Sequence, residues 1–170
     1  MIIDKIIGNT ATTPLEGRAT DPLLLEWFET TKRIQRKHTQ QGMEIAIRFL
    51  KEGQRLRIGD ILYMDDSRAV VIDIIPSDAI VVTPRSLLEM GSVCYEIGNK
   101  HLPVFIQDDQ VLLPFEEPIY RWLLAAGYQT EKAHTKLTNL LNANVQPHSH
   151  GNGGGSSLFS KIMSLAAKER

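Results

Sequence analysis

Apolar and polar positions alternate with a period of two in "EIAIRF", where Glu44, Ala46 and Arg48 separate Ile45, Ile47 and Phe49. That is the spacing of a strand with one buried face. Gly42 supplies a turn ahead of it, and in "GDILYMDDSRAVVIDII" the residues Asp65, Asp66 and Ser67 interrupt two apolar runs, which predicts a hairpin. The opening "MIID" reads as a first strand, and "LLEWFETTKRIQRKHT" as a long strand whose basic face is solvated. Residues 1–76 are therefore expected to form an all-β domain.

The period changes after Pro76. "AIVVTP", from Ala79 to Pro84, is a strand by its β-branched content, and Ser86 with Glu89 has the spacing of a capping box. Leu87, Met90, Cys94 and Ile97 then recur three or four apart, the apolar face of a helix that Gly98 is expected to close. Two strands follow, "LPVFI" and "QVLLPF", joined by Asp108 and Asp109. Glu116, Glu117 and Pro118 open a second helix, Gly127 ends it, and "YQTEKAHTKL" returns as a last strand. The order βαββαβ over residues 77–138 is ferredoxin-like, so the expected fold class is α+β. Beyond it, residues 139–170 form a tail: a linker rich in glycine, serine and asparagine, then "SLFSKIMSLAAKER", where Leu158, Phe159, Ile162, Met163 and Leu165 share one side of a short amphipathic helix.

Composition narrows the function classes. Apolar residues are 42%, charged residues 23% and the formal net charge −1, values of a globular protein without the basic excess that a nucleic-acid partner calls for. A single cysteine excludes an internal disulfide and a cysteine-rich zinc site. With no secretory leader and no apolar run long enough to span a bilayer, the expectation is a cytoplasmic protein that meets no membrane. Phosphate loop, GxGxxG, HExxH, GxSxG and CxxC are all missing, so an enzyme is not expected. The acid pairs Asp65-Asp66, Asp108-Asp109 and Glu116-Glu117 fall at turns and a helix start, where carboxylates are locally favoured. Two alternatives stay open: a small ferredoxin-like hydrolase, for which "TPRSLLEM" offers Arg85 but no glycine-rich cradle, and a protein-binding scaffold without a metal role.

Histidines carry the remaining chemistry. His148 and His150, two apart in the tail, can reach one ion, and imidazole suits nickel, copper and zinc. His101 follows a Gly-Asn-Lys turn between helix and strand; alone it reads as a capping residue, but a twofold dimer would set it opposite its own copy and so supply two ligands. His134, on the last strand, is a further candidate ligand. His38 is not favoured, and Cys94 on the apolar helical face is expected to pack rather than ligate.

"CYEIGNKHLPV" resembles the GN(R/K)H motif of the urease accessory protein E (UreE) family, nickel metallochaperones of urease maturation. "LEWFETTKRIQRKHTQQGMEIAIRF", the segment from Ile58 to Asp66 and "AIVVTP" are similar to other landmarks of that family, and the likeness covers roughly residues 1–137. The resemblance implies a β-rich amino-terminal domain, a ferredoxin-like carboxy-terminal domain, and a homodimer that binds nickel at its interface through His101 of both subunits. It also implies tail histidines as added ligands, Ni(II) as cargo with Zn(II) or Cu(II) accepted in vitro, and hand-over to the urease accessory GTPase (UreG) and the urease apoprotein. Many relatives carry histidines ahead of the second helix; "QVLLPFEEPIY" has none, and the tail holds only His148 and His150, so large storage capacity is not implied.

Overall fold

In the computed structural model, which describes residues 1–50 and 54–141, seven strands precede Pro76, and four strands and two helices follow it. The expectations for His148, His150 and the helix at 157–170 lie outside the described residues. Two small sheets make the amino-terminal half. One has the order β1 (Ile2–Ile3), β5 (Glu44–Arg48), β4 (Ile34–His38); the other runs β2 (Gly8–Asn9), β6 (Asp60–Met64), β7 (Arg68–Ile74), β3 (Ala19–Leu25). Ile3, Ile45 and Ile47 from the first meet Leu23, Leu25, Val70 and Ile72 from the second in one core. Strand β7 is buried on both sides, because Ala69 and Val71 pack with Ile61 and Leu15 away from that core. Its unbroken apolar run is what two-sided burial requires.

The expected hairpin at Asp65 is present. Its carboxylate accepts hydrogen bonds from the Ser67 N–H at 2.8 Å, the Ser67 hydroxyl at 2.8 Å and the Arg68 N–H at 2.9 Å, which together hold its pKa far below the usual carboxylate range. The long strand expected over "LLEWFETTKRIQRKHT" is not. Strand β3 ends at Leu25, a 3₁₀ helix occupies Trp27–Thr31, and β4 starts only at Ile34. A glutamate pair causes the break: the Glu29 carboxylate accepts the Glu26 N–H at 3.1 Å, and the Glu29 N–H donates to the Glu26 carbonyl at 2.9 Å across the 3₁₀ turn. The buried Glu29 carboxylate also takes Lys37 at 2.7 Å and Lys32 at 3.4 Å, while Arg36 pairs with Glu44 at 3.5 Å. Burial pushes the Glu29 pKa up, but the hydrogen bonds from Lys37 and Glu26 and the Lys37 charge outweigh it, and the net shift is downward. Three cations of the basic run are thus turned onto carboxylates.

The carboxy-terminal half contains β8 (Ser77–Val82), α1 (Leu87–Asn99), β9 (Phe105–Gln107), β10 (Gln110–Pro114), α2 (Glu117–Ala125) and β11 (Thr130–Thr135). Its antiparallel sheet has the order β11-β8-β10-β9, the ferredoxin-like arrangement that the element order predicts. Asp108 and Asp109 both have positive φ, 48° and 62°, as a two-residue turn matched to strand twist demands. Ile80, Val82, Val111 and Leu113 pack under the helices with Val93, Ile97 and Leu123. The other sheet face, with Ala79, Val81, Phe105 and Leu112, is covered by Leu137 and by Trp27 from the amino-terminal half. The Trp27 and Phe105 rings meet edge to face with centroids 5.6 Å apart, and Lys136 Nζ reaches Asp73 at 2.6 Å. Strand β9 is shorter than "LPVFI" predicts, since Leu102 N–H is used at the helix end and Pro103 has none to give.

Trp27→Ala should lower unfolding free energy by about 3 kcal/mol in a denaturant titration, because it uncovers part of one face of the carboxy-terminal sheet. Glu29→Gln should cost about 2 kcal/mol at pH 7. Since the folded carboxyl has the lower pKa, its contribution is present above the unfolded value and lost as pH falls through the folded one, so wild type and variant should converge as pH falls below the ordinary glutamate range.

Candidate metal centre

Helix α1 delivers His101. At its start Ser86 Oγ accepts the Glu89 N–H at 3.1 Å, and the Glu89 carboxylate reaches back to the Arg85 N–H. Val93 and Ile97 are fully buried, with Met90 and Cys94 packed beside them. Leu87, expected on that face, is instead 88% exposed. At 100° per residue it lies about 80° from Ile97 and about 120° from Val93, outside the arc that meets the sheet. The opposite side of the helix is also apolar. Leu88 (81% exposed), Gly91, Tyr95 (71%) and Gly98 form a solvent-facing stripe that leads to the carboxy-terminal end.

The two helices end by the same hydrogen-bond pattern. In α2 the Gly127 N–H donates to the Leu124 carbonyl at 3.0 Å and the Tyr128 N–H to the Leu123 carbonyl at 3.2 Å, with Gly127 at φ +85°. In α1 the His101 N–H donates to the Gly98 carbonyl at 2.9 Å and the Leu102 N–H to the Ile97 carbonyl at 3.5 Å, with His101 at φ +57°. This is the Schellman ending, whose left-handed position is usually glycine. Gly98 is therefore not the cap that the sequence pattern predicts; it lies inside the last turn, and the left-handed residue is the exposed histidine three positions later. A side chain there costs on the order of 1 kcal/mol against glycine.

Among the described residues no three histidine, cysteine, aspartate or glutamate side chains converge as a metal-binding group. The chain leaves the domain beside it. Leu140 bridges to Phe105, and the Leu141 N–H donates to the Val104 carbonyl at 2.8 Å, which starts the tail three residues in sequence from His101. His134 lies elsewhere: exposed on β11, it holds Asp78 through Nδ1 at 2.8 Å, on the sheet edge opposite the one that β9 forms. Three strand spacings separate those edges, about 14 Å. His38 ends edge strand β4 in the amino-terminal half, paired in register with Glu44. Cys94 is half-buried, and burial pushes its thiol pKa up, so it packs. Sequence reasoning missed Leu88 and Tyr95; the steps of three, four and three from Leu88 through Gly91 and Tyr95 to Gly98 were the readable signal.

Fold and site together define a two-part α+β protein: a β-rich half braced against a ferredoxin-like half that presents an exposed histidine at the end of an apolar helical face. This chain belongs to the UreE urease accessory protein family. Residues 3–74 match the family's amino-terminal domain and residues 77–157 its carboxy-terminal domain. It is 61% identical to the urease accessory protein UreE of Flavobacterium johnsoniae, with 98% of this chain and 99% of that protein covered. The UreE proteins of Haemophilus influenzae strain PittEE and Acetivibrio thermocellus are 44% and 36% identical, over 84% and 88% of this chain and 80% and 97% of theirs. Membership of an accessory-protein family bears out the reading that this chain is not an enzyme and sets the hydrolase alternative aside.

His101→Gly should raise unfolding free energy by about 0.5–1 kcal/mol, because glycine occupies the left-handed region without strain. A denaturant midpoint at or below that of the wild type would contradict this account of the helix end.

Proposed function

We propose that this chain is a nickel-binding metallochaperone that delivers Ni(II) for assembly of the urease active site, working in the cytoplasm as a homodimer. His101 of each protomer binds the ion at the interface, and His148 and His150 complete the shell. The observation that carries the reading is the placement of an exposed histidine in a strained left-handed position at the end of an unpartnered apolar stripe. Strain of this kind persists where a side chain is needed. A second copy of the chain is the fitting cover for Leu88 and Tyr95, since Gly91 and Gly98 between them let a twofold-related helix come close, and a twofold axis near the helix end pairs His101 with itself.

The sequence separation supports the added ligands. His148 follows Leu141 by seven residues, a contour length of at most about 23 Å, and Leu141 itself is held beside Val104. Two neutral imidazoles leave an ion with open positions, so tail ligands, water or a partner's groups can replace one another, which suits hand-over rather than storage. The receiving partner is the urease accessory GTPase UreG, and through it the urease apoprotein; the chain carries no phosphate loop of its own, so energy input comes from that partner.

Metal titration with mass measurement should find one tightly held nickel per dimer, and none in folded His101→Ala. Tight binding by monomers would contradict the shared site. Leu88→Asp or Tyr95→Asp should yield monomers in light scattering and lose the tight site although His101 is intact. Truncation after Asn144 should leave the dimer in place and weaken nickel binding; unchanged affinity and stoichiometry would remove His148 and His150 from the shell.

A further inference from the structure

A positive charge sits next to the proposed site in sequence, and its position is controlled. Lys100 is the cap residue of α1, with nearly helical φ −87° and ψ 1°. At 100° per residue its side chain leaves the helix about 140° away from Tyr95 and about 120° from Leu88, toward the side of α2 rather than the outward stripe. There its ammonium lies over the indole of Trp122, with Nζ 4.5 Å from the ring centroid. Among the described residues no carboxylate lies within ion-pair distance of Lys100, so the ring face is what receives the cation. Trp122 is itself fixed, half-buried on α2 and packed against the core cluster beneath both helices.

We infer that Trp122 is a positioning residue for the metal site: its indole face holds the Lys100 ammonium on the α2 side of helix α1, off the outward face where the ion binds. This rests on the reading of His101 as a metal ligand. The physical need is plain. A lysine side chain is long and mobile enough to swing from its own helix turn to a neighbouring one, and in a dimer two of them flank one divalent ion. Bringing a unit charge from each protomer to about 8 Å from that ion weakens binding about fivefold in a water-like dielectric at about 0.1 M salt. An aromatic face holds the charge without neutralising it, and so does not place beside the site a carboxylate that would compete for the metal.

The experiment is Ni(II) titration of the full chain by calorimetry, with dimer mass and thermal midpoint recorded for each variant. Trp122→Leu should weaken nickel binding about fivefold, and the loss should shrink in about 0.5 M salt. Lys100→Gln alone should change affinity less than about twofold, whereas Trp122→Leu with Lys100→Gln should regain the wild-type value, a rescue that a purely structural tryptophan would not permit. Trp122→Met, apolar and of similar reach, carries the same test if the leucine variant does not fold. Wild-type affinity in a folded Trp122 variant, or a loss that Lys100→Gln leaves in place, overturns the role of Trp122 while the His101 site stands. Wild-type nickel binding by His101→Ala overturns both.

Discussion

Everything in the carboxy-terminal half depends on covering both faces of one four-stranded sheet. Strand β8 sends Ile80 and Val82 toward the helices and Ala79 and Val81 the other way, and all four are buried. A sheet this apolar cannot leave a face in water, and its second face is larger than Leu137 alone can cover. Trp27, from the 3₁₀ turn of the other half, adds to that cover together with Leu140. The Glu26–Glu29 pair and the Lys37–Glu29 ion pair, far along the chain from His101, therefore bear on the carboxy-terminal half by holding the turn that carries the indole. With both sheet faces occupied, α1 is held against one of them and its opposite stripe must face outward.

That outward stripe gives the site its character. A helix that buries Val93 and Ile97 could show solvent a polar back; this one shows Leu88, Gly91, Tyr95 and Gly98. The exposed face and the strained histidine at its end are separate departures from what a monomeric helix needs, and the proposed association through α1 answers both. The comparison within the molecule is direct, because α2 ends in the same hydrogen-bond pattern with Gly127 where α1 has His101. Family membership, independently, places the chain among urease accessory proteins.

Most of the fold was legible in the sequence because its signals are local. The alternation at Ile45, Ile47 and Phe49, the capping pair Ser86 and Glu89, the Asp108-Asp109 turn and the glycine after α2 each act within a few residues, and each appears as read. The break at Trp27–Thr31 was not legible, since a single glutamate reaching back to the start of the turn, with no serine, threonine, aspartate or asparagine at the cap, is a faint signal inside a run that also fits a strand. Leu87 was misassigned for a similar reason: its spacing fits a buried arc, and only the placement of the sheet says where that arc stops.

What the sequence determined by itself was the order of elements, their periods, and a histidine between a helix and a strand in a recognisable motif. Those follow from interactions between near neighbours along the chain, which do not need the rest of the molecule. Which side of α1 meets the sheet, which residue takes the left-handed turn and where the chain exits were decided only in three dimensions. Gly98 could have ended the helix, but Ile97 has to reach the core, and the chain has to turn afterwards into β9. The last helical turn is kept through Asn99, and the left-handed position falls on His101. His101 is displayed where it is because the helix runs on past a buried isoleucine before the backbone turns toward an edge strand.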